Sequence, residues 1–176
     1  MLAELSKDKA NTILQEMSES IPMTIPIPIE RVIETYLGDV SIFFRVFSKP
    51  LSNVSAFATK DMECGWLIVV NSAESKQRRR FSLAHELAHI VLRPSNPTPV
   101  YCTQKSTGAD EILCNRFAGD ILMPDAAMAT FYQEHPMPYL ESVAEQFDVS
   151  PWVAQIQLRR LKLPFRKIME YSFHST

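Results

Sequence analysis

The chain of 176 residues sets 18 lysine and arginine side chains against 20 aspartates and glutamates, a formal charge of −2, so no global field draws it to nucleic acid. A hydrophobic share of 46% with 22% charged residues is ordinary for a globular protein, and this length buries about 70% of the unfolded surface, enough for one domain or one domain with a small appendage. Cys64, Cys102 and Cys114 are odd in number and far apart, which excludes a disulfide framework or zinc ribbon and fits a reducing cytoplasm; charges interrupt every N-terminal turn and no run of about 18 apolar residues occurs, so neither a signal peptide nor a membrane span is expected.

Leu2, Leu5, Ala10, Ile13, Leu14 and Met17 recur at helical spacing with charges between them, which predicts a helix at the edge of the fold. From Ile21 to Ile29 isoleucines alternate with Pro22, Pro26 and Pro28. Their fixed φ and missing N–H exclude helix interior and central strand alike, leaving an extended connector. A short helix over Glu30 to Leu37 is stopped at Gly38-Asp39. The apolar and aromatic runs Val40 to Phe47, Asn53 to Thr59 and Trp66 to Val70 then predict a small, mainly antiparallel sheet with turns at Lys49-Pro50 and Asp61 to Gly65.

Ser75 to Arg80 is strongly basic and stands before the next helix, where cations oppose the macrodipole. Its expected partners are carboxylates elsewhere in the fold or an acidic substrate. Phe81 to Arg93 reads F-S-L-A-H-E-L-A-H-I-V-L-R, with Leu83, Leu87, Ile90 and Val91 forming the apolar pattern and Arg93-Pro94 the stop. His85 and His89, four residues apart, lie one turn apart on one face and can reach a single ion, while Glu86, about 100° round from His85, can face a metal-bound water. Burying these three side chains without partners would cost several kcal/mol, and a divalent cation is the simplest common partner.

A catalytic zinc takes three protein ligands and leaves one position for water, so one ligand must come from outside this helix. Leu92 and Ser95 stand where a metzincin needs glycine and histidine, which excludes that variant. The next amphipathic helix, Asp110 to Pro124, packs Leu113, Cys114, Phe117, Ala118, Ile121 and Leu122 and carries Glu111 and Asn115 one turn apart on its flank. That placement lets Glu111 ligate the metal while Asn115 orients a ligand imidazole through its other ring nitrogen, although helix phase alone would also admit Asp110.

The sequence R-R-F-S-L-A-H-E-L-A-H followed by E-I-L-C-N-R-F-A-G-D-I-L-M-P resembles the ImmA/IrrE-type metallopeptidases, whose pattern is R-x-R-F-T-L-A-H-E-x-x-H and then E-x-x-A-N-x-F-A-x-x-L-L-M-P. The resemblance assigns Zn2+ as cofactor, His85, His89 and Glu111 as its ligands and Glu86 as the catalytic base. Ser82, Ala88, Cys114 and Asp120-Ile121 depart from the pattern, and none of them removes a ligand or the base. In such a site Glu86 takes a proton from water and returns it to the leaving amine. Tyr101, His135 or an arginine would supply a second donor to the oxyanion, and nothing in the sequence selects among them. The loop Pro94 to Gly108 is expected to border the cleft, with Cys102 a reduced thiol and Cys114 a small core residue.

Asp125 to Glu134 predicts another helix, after which His135-Pro136 and Pro138 interrupt the chain and leave His135 on a surface loop. Tyr139 to Leu163 gives two amphipathic helices about a D-V-S turn, with Ser150 as N-cap and Pro151 at the first helical position, a helix-turn-helix-like pair. Gln155, Gln157, Arg159 and Arg160 could meet DNA, but Glu141, Glu145 and Asp148 lower the positive potential of the unit, which favours packing or substrate docking. The expected fold is α+β: a zincin-like domain over residues 1–135, with an N-terminal helix and proline-rich lead-in over 1–29, and a helical appendage and tail over 136–176. The expected function is that of a zinc endopeptidase. The family resemblance implies its substrate, a helix-turn-helix transcriptional repressor cleaved to relieve repression. Rival readings are a regulator that binds a repressor with zinc merely structural, and a DNA-binding protein.

Overall fold

The computed structural model describes residues 2–47, 54–61, 65–92, 100–103 and 108–167. Helix α1 (Leu2–Ser18) buries Ala10, Ile13 and Leu14, as its spacing predicts, and is followed by the proline-rich connector, where Ile21 and Ile27 enter the core. Helix α2 (Ile29–Leu37) buries Ile29, Val32 and Ile33, and it ends where Gly38 adopts φ 70°, a left-handed backbone that glycine takes without a Cβ penalty.

The strands are β1 (Val40–Arg45), β2 (Val54–Asp61), β3 (Gly65–Asn71) and β4 (Val100–Thr103), in the spatial order β1-β3-β2-β4. β2 pairs antiparallel with both β3 and β4, so the sheet is mainly antiparallel, whereas β1 runs parallel to β3. The strands therefore do not form a simple meander: β3 inserts between its two predecessors. The predicted turn at Lys49-Pro50 and the tip between β2 and β3 lie outside the described residues. Alternation in β2 and β3 sets Ala56 opposite Val70 and Ala58 opposite Ile68, all buried. The alanines keep the inner surface low where it meets the next helix.

That helix, α3 (Lys76–Leu92), lies between the sheet and α4 (Ala109–Leu122) and is buried without interruption from Ser82 to Ile90. A helix apolar on one side only could not occupy this position; here alanines and leucines fill the remaining faces. The basic run is part of α3 rather than a lead into it, because its first turn is stabilised by partners from elsewhere. Arg79 Nη1 donates to the Ser72 and Glu74 carbonyls at 3.1 and 3.3 Å, and Arg78 Nη2 to Ser55 Oγ at 3.0 Å. Part of the segment expected as a loop between the site helices is strand β4, because it completes the hydrogen bonds of β2's free edge.

Helices α5 (Asp125–Glu134), α6 (Leu140–Phe147) and α7 (Pro151–Arg160) follow. His135 closes α5 at the surface, stacked on Phe131 with ring centroids 4.7 Å apart. The α6–α7 turn forms as its residues predict: Ser150 Oγ accepts from the Val153 N–H, Pro151 occupies the first turn, and Asp148 takes the left-handed conformation. Leu140, Val143, Phe147, Ala154 and Leu158 belong to the same core as α3 and α4. Two carboxylates, Asp120 buried and Asp148 partly so, fasten the pair. Asp148 receives Lys76 Nζ at 2.6 Å and Gln77 Nε2 at 2.9 Å, with Arg80 alongside at 3.4 Å. Asp120 on α4 receives Ser6 Oγ at 3.1 Å, Gln157 Nε2 at 3.2 Å and the Arg160 guanidinium. Gln157 and Arg160 thus point inward, and of the side chains that could have met DNA only Gln155 and Arg159 are left outside. No helix of the described residues is long and apolar enough to cross a membrane.

Burial alone would raise the Asp148 carboxyl, but the hydrogen bonds and charges of Lys76, Arg80 and Gln77 outweigh it and hold the group below its ordinary value. The folded chain therefore binds fewer protons here than the unfolded chain. The stabilisation is complete above the unfolded value, about 4, and is lost as the pH falls through the folded one. Asp148→Asn, which keeps a side chain tolerant of the left-handed backbone, is expected to cost about 2 kcal/mol at pH 7. In urea denaturation the gap from the parent should close as the pH falls below about 4; equal midpoints at pH 7 would show that the cluster stabilises nothing.

Candidate metal centre

His85 and His89 project from the buried half of α3, and Glu111 reaches them from the first turns of α4. The two Nε2 atoms are 3.1 Å apart. Glu111 Oε2 lies 3.2 Å from His85 Nε2, and Glu111 Oε1 lies 3.4 Å from His89 Nε2. One ligand atom from each residue falls within 4.8 Å of the others, the only such group of three or more among the described residues. Tetrahedral zinc with bonds of about 2.0 to 2.1 Å sets its ligand atoms about 3.3 Å from one another. The donor set and its spacing fit such an ion. Both imidazoles are buried and Glu111 is half-buried.

The tautomer of His85 follows from its other nitrogen. Asn115 Oδ1 lies 3.0 Å from His85 Nδ1, and since a carbonyl oxygen only accepts, Nδ1 carries the proton and Nε2 presents its lone pair to the site. Asn115 is exposed as a residue and still makes this contact, because its position one turn beyond Glu111 puts it beside the same ring. Cys114 Sγ lies 3.5 Å from His89 Nδ1. The sequence reading left this cysteine as core filler, and it is indeed buried, but it also touches the second histidine. The available signal was its spacing: three residues after Glu111, it shares that residue's side of α4.

Glu86 is fully buried on α3 next to His85. Asp110, which helix phase admitted as a ligand, is exposed, so the packing of α4 brings Glu111 to the histidines instead. Of the candidate donors to the oxyanion, His135 is engaged with Phe131 and the side chain of Tyr101 lies outside the described residues, as does that of Cys102.

The sequence profile of the IrrE N-terminal-like domain, a peptidase family, matches residues 39–159, which include the sheet, both site helices and the α6–α7 pair. The chain belongs to this family. Within it, the radiation response metalloprotease IrrE of Deinococcus radiodurans is 32% identical over 94 residues, an alignment covering 45% of this chain and 29% of that protein. The chain thus corresponds to less than a third of that relative. A solved Mycobacterium tuberculosis transcriptional regulator shares the fold, with a TM-score of 0.54 over 90% of this chain and 51% of the regulator at 15% identity.

In an IrrE-like site built this way, removing the Asn115 carbonyl frees the His85 ring to rotate and to take the other tautomer. Asn115→Ala should weaken zinc binding about 10 to 100-fold, and Asn115→Asp should retain most of it, since a carboxylate accepts the same N–H. Competition against a chromogenic chelator measures both; equal affinity for Asn115→Ala and the parent would return Asn115 to the surface.

Proposed function

We propose that the protein is a zinc-dependent endopeptidase in which His85, His89 and Glu111 hold the metal and Glu86 is the general base. The observation that carries this reading is the convergence of the His85, His89 and Glu111 side chains, in contact pairwise at 3.1 to 3.4 Å, within a chain of this peptidase family. When bound, zinc supplies a nucleophile at neutral pH by lowering the pKa of water to about 7, and it polarises the scissile carbonyl. The side chains do the rest. Glu86 accepts the water proton and delivers it to the departing amine nitrogen, so the peptide bond breaks with no net proton gain. Asn115, through His85 Nδ1, keeps the ligand lone pair aimed at the site. A purely structural site would have no use for a carboxylate buried beside the ligands, and Glu86 therefore favours catalysis over a zinc-stabilised regulator.

The substrate class we propose is a helix-turn-helix transcriptional repressor, cleaved to relieve repression, a choice supported by the family resemblance. Inward-turned Gln157 and Arg160 weigh against a DNA-binding role for α7. We place the activity in the cytoplasm, where the buried thiol of Cys114 stays reduced.

Glu86→Gln conserves size and removes basicity. It is expected to bind about one zinc per chain after reconstitution, as the parent does, and to lose repressor cleavage by a factor of about 100 or more. Metal content by atomic emission and a gel time course on a candidate helix-turn-helix repressor that the parent cleaves check both. Undiminished cleavage would remove Glu86 from the mechanism; less than about 0.2 metal per chain in the parent would remove the metal centre.

A further inference from the structure

Beside the metal centre, α3, α4 and α7 enclose a groove of about 530 Å³. Its floor and walls are Phe81, Ile112, Trp152, Val153 and Ile156, and it reaches the site through Asn115, which also lines it. Phe81 stands one turn before His85, with ring centroids 6.3 Å apart. Three of the wall residues are conspicuously solvated for their type: Trp152 is 69% exposed, Ile112 50% and Ile156 49%. Among the described residues nothing covers these side chains, and α6 and α7 bury Leu140, Val143, Phe147, Ala154 and Leu158 instead. An apolar surface of this kind, with a tryptophan at its centre, is what a binding partner anchors on.

The rim carries one sign of charge. Arg78, Arg116 and Arg160 line the groove, and among the described residues no carboxylate does. Arg160 is held by Asp120 and Arg78 stands 3.8 Å from Glu74 Oε2, both of which lie behind the lining. Arg116 forms no ion pair among the described residues. The positive end of α7, at Ser150 to Val153, opens onto the same space and adds to the potential.

We propose that this groove docks an amphipathic, acidic segment of the protein substrate, away from the bond that is cut. The apolar stripe of such a segment would lie against Trp152, Ile112 and Ile156, and its carboxylates would meet Arg116 and the start of α7. Charge decides against a second copy of the chain as occupant. The exposed aromatic side chains of β1 each lie against an arginine, Phe43 against Arg45 and Phe44 against Arg79, so self-docking through them would set cation against cation. The identity of the occupant as substrate rests on the protease reading; the docking chemistry does not.

The chain has two tryptophans, so Trp66→Phe leaves Trp152 as sole reporter. Three synthetic peptides are the probes: an amphipathic helix with leucine and phenylalanine on one stripe and glutamate flanks, the same with lysine flanks, and the glutamate peptide with serine in the stripe. Titrated into Glu86→Gln protein, the first should shift Trp152 emission to the blue and saturate, while the other two bind at least 10-fold more weakly. Arg116→Glu should invert the preference between glutamate and lysine flanks and leave zinc affinity unchanged. Calorimetry on protein that retains Trp66 should give the same ranking. Equal binding of both charge types, no saturable binding, or an emission shift that follows protein concentration without peptide, the sign of self-association, would each overturn the proposal. If zinc or cleavage fails while the peptide ranking holds, the protease reading falls and the groove stands.

Discussion

Everything the site can do depends on how closely α3 and α4 lie together. The histidine pair is fixed by one helix, but the carboxylate that meets both imidazoles, the amide beside His85 Nδ1 and the thiol beside His89 all come from the other. Small buried residues allow that approach: Ala84 and Ala88 on α3, Cys114 and Ala118 on α4. Enlarging one of them would separate donors that must agree to within a few tenths of an ångström. The sheet serves the same end from behind, because Ala56 and Ala58 keep its surface low under α3.

Two carboxylates, Asp120 buried and Asp148 partly so, hold this arrangement from the outside. Asp148 joins the α6–α7 turn to the first turns of α3, and Asp120 joins α4 to α1 and α7. Each would be costly to bury alone, and each has enough donors to offset the loss of water. The glycine beside the second is part of the device. A Cβ at Gly119 would stand 3.0 Å from the Gln157 amide, so the glycine leaves room between α4 and α7 for the Gln157 side chain that reaches Asp120. Asp148 also answers the basic run electrostatically, setting an anion at the helix end where the macrodipole favours one.

The arginines of this chain therefore divide by task. Arg79 and Arg80 cap carbonyls or complete the Asp148 cluster, and burial lowers the pKa of Arg80 even though Asp148 and Glu30 work to raise it. Arg116 is left on the rim of an apolar groove. A net charge of −2 is thus compatible with a local surface that selects acidic partners, because selection acts over about a Debye length rather than over the whole chain.

The elements were legible because their signals are local. Spacing marks α1, α4 and α5; Ser150 and Pro151 mark the start of α7; Gly38 ends α2. The pairing of His85 with His89 needs only one turn of helix, and Glu86 comes with it. What lay beyond the sequence was every contact between elements distant in the chain. Helix phase could not choose between Asp110 and Glu111, since both occupy the first turn of α4, and only the placement of that helix against α3 does so. The parallel pairing of β1 with β3 depends on which edge is free, not on the strand residues. The partners of Lys76, Gln77 and Arg80 lie about 70 positions away, at Asp148. A one-dimensional pattern fixes where a side chain points from its own helix, and the packing of the core alone decides what stands opposite.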